Sequence, residues 1–229
     1  MIGLKRIFSN IFKNNYDINS NKKILILIII GVSSLLLRLS YVSFEIPLSF
    51  DALSYFHYAI EISKLGQLPE THTLANNGWS IFLSFFFTIF QQNETNYLMQ
   101  LQKILSIIIS VSTIIPLYYL LKKKFNFNLI ILGIIIFTFE PRLIQNSILG
   151  ITDPLYILIL TISFVYFLKY SIKNTYISFA LVSFATLVRS EGIFVFIAFI
   201  ILSLSLIVFL SIFVLSNIDK EITLSLSFN

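Results

Sequence analysis

Apolar residues in this chain run in long blocks broken by short polar stretches, and a membrane-spanning helix needs about 20 of them. Ile24 to Phe44 supplies one such block, interrupted only by Arg38. Leu98 to Leu121 supplies a second, with Lys103 near its start, and Leu129 to Phe139 begins a third that runs on to about Asn146. Leu155 to Leu168 makes a fourth, Tyr176 to Val188 a short fifth that could be half of a hairpin, and Ile193 to Leu215 a sixth. The fold class this predicts is all-α, a polytopic transmembrane bundle of about six spans.

One long polar stretch, Glu45 to Tyr97, separates the first two spans. Within it, Asp51 to Lys64 reads as a helix, with Leu53, Phe56, Ile60 and Leu65 at mixed three- and four-residue spacing. Leu65-Gly66-Gln67-Leu68-Pro69 ends that helix. Trp79 to Phe90 is strongly apolar yet too short to cross, which predicts an interfacial or re-entrant helix against the bilayer.

Composition agrees with a lipid environment. Hydrophobic residues make up 57% of the 229 and charged residues 12%, whereas soluble domains carry about 25% charged. Mean hydropathy is +0.89. The 24 Phe and 11 Tyr suit lipid contact and aromatic belts. With no Cys, disulfides and thiolate chemistry are excluded. The net charge of +5 finds no soluble basic face to sit on, so no nucleic-acid partner is expected. The basic n-region before Ile24 is long, and its apolar run exceeds a signal h-region without a small-x-small site, so it reads as a retained anchor.

Charge placement predicts the orientation. With the N-terminus cytoplasmic, that side receives Lys5, Arg6, Lys13, Lys22, Lys23, Lys122, Lys123, Lys124, Lys169, Lys173 and Lys220, 11 of the 16 basic residues. The opposite side receives Glu45, Asp51, Glu61, Glu70, Glu94, Glu140, Asp153 and Glu191, 8 of the 11 acidic ones. The inverted arrangement would place Lys122 to Lys124 outside. The expected organisation is a basic cytoplasmic N-terminus over 1–23, a transmembrane domain over 24–216 with an external loop at 45–97, and a short polar tail at 217–229. The abundance of Ile, Asn and Lys and the absence of an organellar targeting signal point to a prokaryotic plasma membrane.

Three groups of residues carry candidate chemistry. Asp51 follows the first span at the start of a helix, where a carboxylate either stabilises the helix N-terminus or serves as a general base for an attacking hydroxyl. Glu140-Pro141-Arg142, Asn146 and Thr152-Asp153-Pro154 lie around the outer end of the third span. Asp153 before Pro154 reads as a helix N-cap. Glu140 and Arg142 form either a simple ion pair or a functional site, since ionisable groups at membrane depth are costly. Arg189-Ser190-Glu191-Gly192 lies on the same side as Asp51 and Asp153, and its arginine either snorkels or offers a planar fork to phosphate. His57 and His72 lack any metal-binding spacing. Asn93-Glu94-Thr95 fits the short N-glycosylation pattern.

Four segments in this order resemble the GT-C superfamily of membrane glycosyltransferases, which includes protein O-mannosyltransferases (glycosyltransferase family 39), aminoarabinose transferases and oligosaccharyltransferase catalytic subunits. They are SFDALSYFHYA, NNGWSIFLSFFFTIF, EPRLIQNSILGITDPLYIL and LVRSEGIFVF. The resemblance spans about residues 20 to 200 and implies the N-terminal portion of a longer enzyme. It implies inverting transfer of a sugar from a polyprenyl- or dolichyl-phosphate donor to a protein, lipid or glycan acceptor at the outer membrane face. Asp51 would be the base, and Asp153 or Glu140 the second acid. Arg142 and Arg189 would hold the donor phosphate, with Glu191 beside Arg189. No cofactor is expected, and the argument for a divalent metal is weakened because Ala52 follows Asp51 where many members have a second acid. Two other classes compete: a non-catalytic or truncated homologue acting as a scaffold, and a small transporter, which would need ionisable groups at mid-span.

Overall fold

The computed structural model describes residues 20–70, 73–90, 94–169, 171–205 and 208. Lys5, Arg6, Lys13, His72, Asn93, Lys220, the tail and the end of the sixth expected span lie outside them. The described residues are all-helical. In chain order the helices are α1 (Ser20–Tyr41), α2 (Phe50–Leu65), α3 (Gly78–Phe90), α4 (Thr95–Ser112), α5 (Ile114–Leu121), α6 (Phe127–Thr138), α7 (Pro141–Leu149), α8 (Asp153–Phe167), α9 (Ile172–Val188) and α10 (Gly192–Ser205).

Two stretches are long and apolar enough to cross a membrane, Ser20–Tyr41 and Thr95–Leu121. In each, only 17% and 28% of the most apolar stretch is buried inside the protein. Ile24, Leu25, Ile28, Ile29 and Leu36 all stand exposed on α1. An apolar surface of that extent matches lipid rather than water. The helices α3, α8, α9 and α10 are apolar but shorter.

The third expected span is broken. Helices α6 and α7 bend by 50° across Phe139 and Glu140, and count as a further span only if the bent pair is one. The cause is local. Pro141 has no N–H and favours a helix start, and the Glu140 carboxylate accepts from Leu143 N at 2.7 Å, capping a new helix. At α6, Asn126 caps the N-terminus in the same way through Leu129 N at 3.1 Å.

Arg38 locks this break into the bundle. It is buried at 1% exposure, and all five of its N–H donors are used. Nε donates to Ser147 Oγ at 3.1 Å, Nη1 to the Ser34 carbonyl at 3.3 Å and to Ser34 Oγ. Nη2 donates to Ser110 Oγ at 3.3 Å and to the Thr138 carbonyl at 3.1 Å. The guanidinium thus ties α1 to α4, α6 and α7, and leaves no donor free for a transport path.

The main apolar core joins α2, α3, α4, α8 and α9 through Phe56, Trp79, Leu83, Leu105, Ile159 and Val188. A second, smaller cluster of Ile30, Ile114, Ile130 and Ile134 joins α1, α5 and α6. Within the stretch between the first two expected spans, the two expected helices are present, with α2 and α3 packed on each other and α3 against α9. Basic and acidic groups separate along the bundle. Lys23 lies over the Phe127 ring at 5.6 Å, and Lys123 reaches the Leu168 carbonyl at 2.6 Å. The ends of α5 and α8 thus gather lysines, while the start of α8 and the end of α9 gather carboxylates.

Candidate active site

The site is organised by one turn and two buried polar side chains. Helix α7 stops at Gly150, whose φ of +73° is a left-handed conformation that glycine adopts without strain. The Gly150 carbonyl accepts from Trp79 Nε1 at 3.1 Å and from Gln102 Nε2 at 2.8 Å. Gln102 Nε2 also donates to the Ala52 carbonyl at 3.1 Å. One fully buried amide on α4 thereby fixes the backbone one position from Asp51 and three positions from Asp153. Its Oε1 has no hydrogen-bond partner. Lys103, next in the chain, donates to the Ser43 and Ile46 carbonyls at 2.8 and 2.6 Å and pins the connection from α1 to α2.

Asp51 lies in the first turn of α2 and is exposed. Ser49 occupies the N-cap position of that helix, with no side-chain cap bond. Asp153 is the first residue of α8, and Thr152 rather than Asp153 occupies its N-cap position. The Asp153 carboxylate instead accepts from Arg189 Nη1. Arg189 follows α9, and its other edge engages Glu191, with Nη2 to Oε1 at 2.8 Å and Nε to Oε2 at 3.3 Å. The Arg189 guanidinium also faces the Tyr156 ring at 5.9 Å. Gly192 lets this turn fold back onto α9, because a Cβ there would meet Thr186 N at 2.9 Å.

Electrostatics confirm the grouping. Tyr55 feels Asp51, Arg189, Asp153 and Glu191 together. Burial, then the Asp51 carboxylate, pushes the Tyr55 phenol above the ordinary tyrosine range, so it stays a neutral donor at physiological pH. The hydrogen bond to Glu191 raises Arg189 above its ordinary value, and the same bond holds the Glu191 carboxyl below the ordinary glutamate range. Beside Asp153 lies a cavity of about 10 Å³, also lined by Ser110 and Asn146, with room for about one water molecule.

Asp153, Arg189 and Glu191 are therefore joined directly, Asp51 and Tyr55 on α2 lie within electrostatic range of them, and Asn146 lines the small cavity beside Asp153. Glu140 and Arg142 do not join this group: Glu140 is occupied as a helix cap, and Arg142 is exposed. The two form no ion pair with each other, the salt bridges among the described residues being those of Arg189. His57 packs edge-on against Phe56 at 5.6 Å. Among the described residues no group of three or more His, Asp or Glu is placed to hold a metal ion. Sequence reading passed over Tyr55 and Tyr156, although each stands one helical turn after an acid, at positions 51/55 and 153/156. Gln102 and Trp79 carried no such signal, since each acts on a distant carbonyl. Chemically, the group offers three carboxylates, one guanidinium and a neutral phenol at the boundary of an apolar bundle. Comparison of the chain with protein families, with curated proteins and with solved structures finds no match.

Proposed function

We propose that this chain is a GT-C-type membrane glycosyltransferase, with six spans, a cytoplasmic N-terminus, and its site at the outer face of a prokaryotic plasma membrane. The observation that supports the reading is the Asp153–Arg189–Glu191 ion-pair group, built from the start of α8 and the turn after α9, with Asp51 and Tyr55 of α2 in electrostatic range of it. The reaction needs a base and charge neutralisation, because a polyprenyl phosphate is already a good leaving group.

Asp51, exposed and free of the ion pair, takes the proton from the acceptor hydroxyl as its oxygen attacks the anomeric carbon. The bond from that carbon to the donor phosphate oxygen breaks, and the electron pair leaves with the lipid phosphate. Arg189 then stabilises the phosphate. Asp153 is a positioning residue that holds the guanidinium at Nη1. With three carboxylates and one guanidinium the group is net negative, so phosphate must approach the outer Arg189 edge that Glu191 occupies. The Glu191 side chain is 52% exposed, so a phosphate that displaces it releases it to solvent.

The test is sugar transfer in native membranes from a radiolabelled polyprenyl-phosphate sugar, comparing wild type with Asp51→Asn. Loss of a general base lowers the rate about 10²- to 10⁴-fold. Full activity in Asp51→Asn at equal expression would sink the assignment.

A further inference from the structure

A second feature lies at the opposite, lysine-bearing end of the bundle and does not depend on the transfer reaction. Helices α5 and α8 part to leave an open groove of about 410 Å³, within the range of small-ligand sites. Its walls are apolar and aromatic: Ile115, Pro116 and Tyr119 on one side, Ile162 and Tyr166 on the other, with Lys169 at the end. The sequence explains the opening. Pro116 within the Thr95–Leu121 stretch lacks an N–H, and the helix is interrupted at Thr113, between α4 and α5.

Lys169 lines the groove's end, and Lys122 and Lys123 contact residues at or next to its wall. Lys122 Nζ stands 4.0 Å from the centre of the Tyr119 ring, and Lys169 Nζ 4.4 Å from that of Tyr166. Lys123 Nζ donates to the Leu168 carbonyl at 2.6 Å, and an ammonium retains two further donors after one such bond. Partial desolvation, then the Lys169 charge, holds Lys123 below the ordinary lysine range. Among the described residues no carboxylate pairs with any of the three. An apolar slot on a lipid-facing bundle, ending in crowded cations that no carboxylate among the described residues pairs with, is complementary to one class of molecule.

We infer that this groove binds an anionic glycerophospholipid, with an acyl chain along Ile115, Pro116 and Ile162 and the phosphate against Lys122, Lys123 and Lys169. Basic pockets between transmembrane helices hold acidic headgroups in this manner. A neutral, zwitterionic lipid would bring the same chain but no net charge for the lysines.

The test uses the full chain purified in detergent with equal phosphatidylglycerol and phosphatidylcholine, and reads retained lipid by native mass spectrometry. Wild type is expected to retain the anionic lipid about tenfold over the neutral one. A variant combining Lys122→Gln, Lys123→Gln and Lys169→Gln is expected to lose that preference, while Lys64→Gln, a cation on α2, keeps it. Ile162→Trp, which fills the groove, is expected to lose bound lipid while keeping its helix content. Should the triple variant fail to fold, Lys169→Gln alone decides, with a few-fold loss of preference expected. Equal retention of the two lipids by wild type, or an unchanged preference in the lysine variants, overturns the inference. So does displacement of the lipid by inorganic phosphate, which would mark a site for free anions.

Discussion

Arg189 donates to Asp153 across 36 positions of sequence, joining the end of α9 to the start of α8. Their side chains are 31% and 18% exposed, between the surface pairs that contribute little and the buried pairs whose breakage is severe. Asp153→Asn or Arg189→Gln should each lower stability by about 1–2 kcal/mol. The double variant should cost less than the two single changes added, because the second removal finds no partner left to strand. Unfolding in mixed micelles, run as a double-mutant cycle, measures this. Strictly additive losses would mean the two residues do not interact.

The Glu191 carboxyl is held below its ordinary value by the hydrogen bond from Arg189. A depressed folded value means the bond contributes stability above the unfolded value of about 4.5 and loses it as pH falls through the folded value. Wild type should therefore lose stability on acidification below about pH 4.5 more steeply than Glu191→Gln. Thermal unfolding scans across that range test it. Parallel profiles for the two proteins would show that Glu191 is not the titrating group.

What the sequence showed of this fold follows from range. Apolar runs and local caps are written in adjacent residues, so α1, α2, α3 and the joined α4–α5 appear where hydropathy and Gly66 place them. Arg38 was legible as a charge in a span, but not as a group satisfied by Ser34, Ser110, Thr138 and Ser147. Three of those partners lie on other helices. Pro141 signalled an irregularity, yet continued hydrophobicity through Leu143 and Ile144 hid a 50° bend that depends on the Glu140 cap. In the site, the cations and acids were visible by type. Which acid would take Arg189 was not, because that depends on how α8 and α9 pack.

Gln102 offers a test of how the two acids are held in register. Its amide nitrogen bridges the Ala52 and Gly150 carbonyls at 3.1 and 2.8 Å from a fully buried position. Gln102→Met keeps the volume and removes both bonds, leaving Ala52 O without this donor and Gly150 O with Trp79 alone. The expected cost is about 1–3 kcal/mol of stability. If the proposed reaction holds, transfer should fall through kcat because Asp51 shifts, and the donor KM should rise with it because Asp153 holds Arg189. A stable Gln102→Met protein with unchanged kcat would show that the bridge does not position Asp51 and Asp153.

Arg189 and Glu191 should have opposite effects on the donor, and that opposition separates a working site from a merely structural ion pair. In the free protein Glu191 occupies Nε and Nη2, the outer edge of the guanidinium and the edge suited to bidentate phosphate contact. In the proposed reaction donor binding would displace it, so part of the phosphate affinity would be offset by the pair that is broken. An exposed pair of this kind is worth about 0.2–1 kcal/mol. Glu191→Gln, which weakens the competing pair and removes a negative charge, should therefore lower the donor KM by up to about fivefold. Arg189→Gln removes the proposed phosphate contact itself and should raise KM and lower kcat together. If Arg189 and Glu191 only hold α9 to α10, both changes would reduce activity in the same direction, in proportion to the stability lost. Donor titrations on the two variants, normalised to folded protein, distinguish these outcomes directly.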